Sequence, residues 1–229
     1  FSAQADIRGE IAQIDSSYRE ILAIHQYAPG VSRLLGEFMA AAVLLATTLK
    51  FEGKLVLQVR SEGQIPLLMV ECDSQLRLRA IARGAQEATS DRFDQLLTGG
   101  QLAITIDPVK GQRYQGIALL SDDSLASSLD AYFKQSEQLG TRFWLACDGE
   151  SAAGMILQQL PAQIVADSND RNSQWQHVTT LASTLKDEEL LNLSAPELAH
   201  RLYHEDPLRL FDTQPLRFQC NCSRDRTFN

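Results

Sequence analysis

The sequence contains little of what marks several classes of protein. Its basic residues are scattered, with no cluster larger than pairs such as Arg77 and Arg79. The net charge is −8, from 21 basic and 29 acidic residues, which argues against a nucleic-acid or anionic-membrane partner. The longest apolar run, residues 38–49, is too short to span a bilayer, and no signal peptide is visible. Four cysteines without the spacing of a disulfide framework suit a reducing cytoplasm.

Catalytic motifs are also missing. The sequence has no G-x-S-x-G, H-E-x-x-H or C-x-x-C motif, and the AAGM stretch at residues 152–155 lacks the lysine of a phosphate-binding loop. Two acidic pairs, Asp122 with Asp123 and Glu188 with Glu189, lie at predicted helix starts, where the helix dipole accounts for them. We therefore expect a protein that is not an enzyme.

The patterns that are present predict an α+β fold, mainly an antiparallel sheet core with a buried central helix, followed by a helical linker. Residues 31–49 have a helical pattern in which Gly36 and several alanines allow a neighbouring layer to approach closely. Strand-like runs joined by short turns indicate antiparallel pairing; they are residues 54–60, 66–72, 76–83, 101–107, 112–120, 141–148 and 152–160.

The composition changes after Pro161. Residues 166–173, ADSNDRNS, are polar and predict a linker or mobile loop. Helical patterns follow at residues 174–185, 188–193 and 195–204, and short strand patterns at residues 208–211 and 216–220. The helices carry an apolar stripe that they cannot bury among themselves: Trp175, Leu181, Leu185, Leu190, Leu191, Leu198 and Leu202. The stripe must pack on the core, on a stable partner or on another protein that is bound only transiently, and the core is the default.

Two thiols near the end of the sequence, Cys220 and Cys222, form the most specific candidate site. Zinc prefers thiolate sulfur, and a C-x-C pair on an extended backbone can direct both side chains to one ion, but a closed structural site needs four ligands. Cys72 and Cys147 lie singly in apolar runs, where burial as small hydrophobic residues is the simpler explanation. The other two ligands must therefore come from elsewhere.

Two histidines are a second source of ligands. His200 and His204 are four residues apart in a predicted helix and would share one of its faces, so they could close a Cys2His2 site with the C-x-C pair. Histidines on an amphipathic helix are common without any metal. The sequence leaves this alternative open.

The segment FQCNCSRDR resembles the heat shock protein 33 family of redox-regulated chaperones. Six other segments fit that family in order along the chain: IRGEI, TLKFEGKLVLQVRSEGQIP, GQRYQGIALL, AYFKQSEQLGTRFWL, AAGMILQQLPAQ and ELLNLSAPELAHRLYHED. In the family a C-x-C is followed downstream by a C-x-x-C, and the four thiolates hold one zinc ion. Cys220 and Cys222 match the first pair, the second pair is absent, and the sequence starts at Phe1 rather than methionine. We therefore expect a fragment.

The resemblance implies an ATP-independent holdase that binds unfolding client proteins under oxidative and heat stress and prevents their aggregation. It implies an inactive reduced form with zinc bound. It also implies an active form in which Cys220 and Cys222 make a redox-active disulfide and the zinc is lost. We expect zinc in the full-length reduced protein but none in this fragment, a homodimer when active, and a cytoplasmic location. The resemblance does not assign the client-binding residues.

The resemblance also predicts three regions. They are an α+β chaperone core at residues 1–165, a helical linker at 166–206 and the start of a truncated zinc and redox-switch domain at 207–229. Without the second thiol pair, the chain should suppress aggregation without oxidant. Two other functions stay open: a thiol-disulfide oxidoreductase that uses Cys220 and Cys222, and a zinc-dependent module that binds one defined partner.

Overall fold

The computed structural model describes residues 5–48, 52–120, 123–136, 139–165 and 167–219. The strands in these residues are β1 (Ile7–Ile14), β2 (Gly53–Arg60), β3 (Leu67–Asp73), β4 (Arg77–Arg83), β5 (Gln101–Pro108), β6 (Tyr114–Leu119), β7 (Thr141–Cys147), β8 (Ala152–Gln159) and β9 (Arg217–Phe218). The helices are α1 (Ser16–Leu22), α2 (Pro29–Thr48), α3 (Phe93–Leu96), α4 (Leu125–Ser136), α5 (Ser168–Ala182), α6 (Asp187–Asn192) and α7 (Ala195–Tyr203). The predicted α+β fold class is confirmed.

The described strands form two sheets. The smaller sheet has the order β1-β8-β7, and the larger has the order β6-β5-β2-β3-β4-β9. Neighbouring strands in both sheets are antiparallel, and the pair β4 and β9 in the larger sheet is the parallel exception. In β2, Leu55, Leu57 and Val59 are buried and the residues between them are more exposed, as expected for a sheet with one face on the core. The predicted hairpins are therefore confirmed.

Helix α2 lies between the two sheets and contacts strands of both. The layers approach closely at Gly36, where a Cβ atom would lie 2.5 Å from Cys147 Sγ, and at Gly154, where it would lie 2.9 Å from Leu44 Cδ1. The predicted buried central helix is confirmed. By length and composition alone α2 could cross a membrane, but most of it is buried inside the fold, so it has the features of a core helix.

Two local predictions are wrong. The polar residues 168–173, expected in a loop, form the first turns of α5, because the Asp167 carboxylate accepts hydrogen bonds from the N–H groups of Asn169 and Asp170 and caps the helix. Residues 208–211, expected as a strand, are described but irregular, and Leu210 and Phe211 are exposed. The apolar pattern was misleading there because no neighbouring strand pairs with these residues in the part of the chain that the structure describes.

Helices α5, α6 and α7 pack on the outer face of the smaller sheet, the face away from α2. The larger sheet is extended at its β4 edge by β9, the last described strand, and Gln219 is the last described residue. The proposed boundaries at residues 165/166 and 206/207 stay a prediction.

Candidate functional site

The linker interface is the apolar contact between helices α5–α7 and the outer face of the smaller sheet. The sheet side contributes Ala5, Ile7, Ala146, Ala153, Met155 and Leu157. The helix side contributes Val178, Ala182, Leu190, Leu198, Leu202 and Tyr203, with Trp175, Leu181, Leu185 and Leu191 partly buried around them. The apolar stripe of the linker therefore packs on the core, as the default expectation had it.

Strand β8 explains why the outer face of this sheet is apolar. Ala152 and Ile156 join the core around α2, whereas Ala153, Met155 and Leu157 point the other way and face the linker. Because both faces of β8 are covered, its sequence is a continuous apolar run instead of an alternating pattern. That run is the sequence signal that a second layer covers the sheet.

A buried ion pair, the Asp6 latch, fastens the start of the linker to the core. Asp6 accepts hydrogen bonds from the backbone N–H groups of residues 163, 164 and 165 at 3.1, 3.0 and 3.1 Å. Arg171 of α5 donates to Asp6 Oδ2 at 2.8 Å, and the two side chains are 14% and 5% exposed respectively. Burial raises the pKa of Asp6, but the N–H groups and Arg171 outweigh burial and hold this pKa below its ordinary value. The latch therefore requires the charged carboxylate.

Two further polar contacts hold the short helices in place. Gln13 of β1 donates through Nε2 to the carbonyl oxygens of Leu190 and Leu193, at 3.2 and 2.6 Å, so the core binds the end of α6 directly. Arg201 of α7 donates to Glu189 of α6 at 2.9 Å. The second contact lies within the linker, so it favours movement of α6 and α7 as one unit.

Glu37 of α2 carries a charge that the folded state disfavours. Burial is the main cause that raises the pKa of Glu37 to about 7, and the nearby carboxylate of Asp187 adds to it, while Arg33 opposes the shift. Asp187 is the first residue of α6, so the linker contributes to the raised pKa of Glu37.

A cleft of about 600 Å³ lies near the end of the linker, between β1, α7 and the irregular residues 208–216. Its lining includes Val43 from the core and Leu202 and Leu216 from the later part of the chain. The lining also includes Met155 and Tyr203 of the linker interface, so the cleft borders that interface at the end of the linker.

The predicted metal and redox residues, Cys220 and Cys222, lie outside the described residues, so their zinc and disulfide roles stay a prediction. The described residue that precedes them is Gln219, which follows β9. Strand β9 pairs with β4 at the edge of the larger sheet, with Arg217 opposite Arg77 and Phe218 opposite Leu78. The thiol pair is thus joined in sequence to an edge of the core.

The other two cysteines have the properties of buried hydrophobic residues. Cys72 is fully buried in β3, and burial raises its pKa to about 12. Cys147 is partly buried, and burial raises its pKa as well, against the opposing effect of a hydrogen bond with Tyr18. Both are free thiols. A thiol with a raised pKa is rarely present as the reactive thiolate at neutral pH.

The two histidines gain no third ligand from the described residues. The rings of His200 and His204 lie with their centroids 5.7 Å apart. Within the described ranges, no group of three or more His, Cys, Asp or Glu residues is arranged to hold a metal ion. The Cys2His2 alternative would need Cys220 and Cys222 as well, and it stays untested.

Sequence reasoning missed the polar residues that fasten the linker, namely Asp6, Gln13 and Arg171. Each has its partner far away in the sequence; Asp6 and Arg171, for example, are 165 positions apart. No local pattern indicates such a pair. The available signal was the run of apolar residues in β8, which indicates a covering layer but not the groups that hold it.

The chain is similar to proteins of one family. The family model described as "Hsp33 protein" matches residues 1–229. The 33 kDa chaperonin of Pseudomonas savastanoi pv. phaseolicola is 54% identical over 228 residues, which cover 99% of this chain and 76% of that protein. The 33 kDa chaperonin of Pseudomonas aeruginosa is 53% identical over 226 residues, which cover 98% of this chain and 76% of that protein.

A solved structure also has the same fold. It is the crystal structure of the 33 kDa chaperonin (heat shock protein 33 homolog) from Thermotoga maritima, which matches with a TM-score of 0.80 at 16% identity. The match covers 97% of this chain and 79% of that one. At this identity the likeness concerns the fold alone.

Proposed function

This chain belongs to the Hsp33 family and is a chaperone, and we propose that it acts as an ATP-independent holdase controlled by oxidation. The structural observation that supports the holdase is the linker interface, a continuous apolar surface covered by three short helices. A holdase needs an apolar surface that can be uncovered, and it needs no catalytic group. We therefore propose that the chain is not an enzyme.

The linker helices are suited to uncover that surface. Helices α5, α6 and α7 have 15, 6 and 9 residues, and isolated helices of such lengths are marginal in water. Separated from the sheet, they would lose their helical structure together with their packing. Met155 and Leu157 on the sheet and the leucines of the linker would then become available to apolar segments of a client.

Cys220 and Cys222 are the proposed control. Zinc bound to thiolates supplies folding energy to the segment that carries them. Two thiolates are half of a closed site, and no cluster among the described residues provides the rest. Oxidation of the pair passes two electrons and two protons to the oxidant and joins the sulfur atoms. The resulting ring is very small and strained, so the disulfide is readily reduced, which suits a reversible control.

The proposed partners are unfolded client proteins and a second copy of the chain. Clients would be bound through exposed apolar residues and without sequence specificity. The active state would be an isologous homodimer, since two-fold dimers are the commonest assemblies of identical chains. The proposed location is the cytoplasm, where thiols are kept reduced until oxidant arrives.

Light scattering of a thermally unfolding enzyme tests the holdase. The 229-residue chain should lower the scattering in proportion to its concentration, without ATP, and the effect should saturate near a one-to-one ratio. We expect this even in the reduced state of the 229-residue chain, because the proposed control by oxidation requires two further ligands besides Cys220 and Cys222. No suppression by either the reduced or the oxidised chain would refute the holdase.

Reduction of insulin by dithiothreitol tests the alternative that the chain is a thiol-disulfide oxidoreductase. Catalytic turnover of insulin disulfides by the chain, abolished by Cys220→Ser and Cys222→Ser, would favour that alternative. Capture of one folded partner but no unfolded protein would favour the interaction module.

Sedimentation velocity of the active chain with and without client measures the proposed dimer.

A further inference from the structure

Strand β4 lies beside the edge of the larger sheet, and the chain itself covers its outward backbone groups. The Arg217 N–H donates to the Leu76 carbonyl at 3.1 Å, and the Gln219 N–H donates to the Leu78 carbonyl at 3.2 Å. Further along the same side, the Ala82 N–H donates to the Tyr27 hydroxyl at 3.1 Å. Open backbone groups at a sheet edge are a template for another strand. β9 and Tyr27 therefore occupy a place where an extended peptide could bind.

The burial of the β9 side chains shows which residues can bind in this groove beside β4. Leu216 and Phe218 are partly buried and pack against the main core cluster, whereas Arg217 and Gln219 are exposed. β9 also lies against α1, so the occupant sits between a helix and a strand edge. The groove therefore takes an extended segment with apolar residues at alternate positions, and its backbone hydrogen bonds are independent of sequence.

The attachment of β9 is weak for a strand. Its ladder with β4 covers two residue pairs, whereas β2 and β5 pair over eight. Arg217 lies directly opposite Arg77, which is already paired with Asp73, so the Arg217 charge adds no attraction to this short ladder. The segment before β9, residues 208–216, is irregular and borders the cleft near the end of the linker. Another extended segment can therefore displace β9 from β4.

We propose that the groove between β4 and α1 is a binding site for extended client segments with apolar residues at alternate positions, and that β9 is its internal occupant. The proposal rests on the chaperone function proposed above and adds a site separate from the linker interface. A client segment would replace β9 by adding its own strand to β4. Because Gln219 directly precedes Cys220 in the sequence, a rearrangement of the thiol pair would act on this occupant first.

The test uses a fluorescein-labelled peptide with the sequence of residues 214–219, QPLRFQ, and measures its binding to the 229-residue chain by fluorescence anisotropy. The variant Leu216→Ser with Phe218→Ser empties the groove and should bind the peptide about tenfold more tightly than the unmodified chain, because an occupied site lowers the apparent affinity. Arg217→Glu replaces a like charge opposite Arg77 by a carboxylate that can share the Arg77 guanidinium with Asp73, so it should hold β9 in place and weaken peptide binding. The matched control, Leu210→Ser with Phe211→Ser, removes two exposed apolar side chains and should leave peptide binding unchanged.

Peptide sequence is a second control. QPSRSQ, which lacks the alternate apolar residues, should not bind, whereas QPLEFQ should bind more tightly than QPLRFQ because its glutamate would lie opposite Arg77. Equal binding of all three peptides, or equal binding by the two double-serine variants, would overturn the proposal.

Hydrogen exchange of the unmodified chain gives a test that needs no substitution. A bound unfolded client should speed the exchange of the Arg217 and Gln219 amides, since β9 is displaced, and should keep residues 76–83 protected. If the chain suppresses aggregation while the Arg217 and Gln219 amides stay protected, the groove is not the client site and the holdase proposal stands. If aggregation is not suppressed in any state, the holdase proposal fails, and the peptide measurement still decides whether the groove binds an extended segment.

Discussion

The Asp6 carboxylate shows how one residue can control a much larger surface. It accepts hydrogen bonds from three backbone N–H groups and pairs with one guanidinium at the point where the linker leaves the core. A carboxylate with a lowered pKa contributes stability above its ordinary pKa and loses that contribution as the pH falls through the lowered value. At neutral pH the Asp6 latch is therefore fully formed.

Replacement of Asp6 by Asn should loosen the linker without unfolding the core. The amide cannot balance the charge of Arg171, which is largely buried, so the segment from residue 163 to residue 171 should exchange its amide protons about tenfold faster. Hydrogen exchange with mass spectrometry measures this. Asp94→Asn, which removes a more exposed ion pair with Arg92, should leave linker exchange unchanged. Unchanged exchange in Asp6→Asn would contradict the role of the latch.

Glu37 predicts a pH dependence of opposite sign. Its pKa rises from 4.5 to about 7 on folding, so the unfolded chain ionises first and the free energy of unfolding falls as the pH rises from 4.5 to about 7. Glu37→Gln should remove this decrease and stabilise the chain at pH 8 by about 2 kcal/mol, allowing for partial exposure. Urea denaturation at pH 5 and pH 8 measures the difference. The control Glu20→Gln, which replaces an exposed residue and keeps Glu37, should retain the decrease.

At the scale of elements, the three linker helices depend on the sheet beneath them. Their buried leucines gain stability only while β8 and β1 lie opposite, and the contact between Arg201 and Glu189 holds α6 and α7 together. Both tryptophans of the chain, Trp144 and Trp175, are partly buried at this linker interface. Tryptophan fluorescence is therefore a direct measure of whether the linker is in place.

Truncation of one buried leucine should shift the linker toward its open state. Leu198 of α7 is fully buried, and Leu198→Ala should cost about 2–4 kcal/mol of linker packing. The variant should shift tryptophan fluorescence toward that of exposed indole and suppress aggregation at a lower molar ratio. Leu210→Ala removes a leucine that is 59% exposed and should do neither. Reduced chaperone activity in a folded Leu198→Ala variant would argue against client binding at the linker interface.

At the scale of the whole molecule, the four cysteines divide into two classes. Cys72 and Cys147 are held in the core with raised pKa values, whereas Cys220 and Cys222 follow a short edge strand. The core thiols are therefore poor targets for oxidants. Any oxidation response should arise at the C-terminal pair and reach the core through β9 and the linker.

Mild peroxide should consequently remove two of the four thiols of the folded chain. After the treated chain is unfolded in denaturant without reductant, a thiol-reactive dye should count two remaining thiols, and prior treatment with dithiothreitol should restore the other two. Cys220→Ser with Cys222→Ser should abolish the loss, whereas Cys72→Ser should not alter it, because the raised pKa of Cys72 keeps its sulfur protonated. Loss of thiols in the Cys220 and Cys222 double variant would place the redox response elsewhere.

The sequence by itself determined the fold class, the hairpins and the buried central helix, because these depend on local periodicity and on small residues such as Gly36. It also identified the family, through motifs that run along the whole chain. It did not predict the start of α5, because the cap at Asp167 is a single hydrogen-bonding residue within a polar run. It wrongly gave residues 208–211 as a strand, because strand formation requires a neighbour that an apolar pattern does not supply.

Only the tertiary structure decided where the linker helices lie and what holds them there. Asp6 meets Arg171, Gln13 meets α6, and β9 meets β4 across separations that no local pattern records. These contacts form because burial brings distant polar groups together, and a buried group without a partner is costly. The sequence pattern shows which face of each helix or strand is apolar. Which element that face packs against depends on how all the elements pack at once.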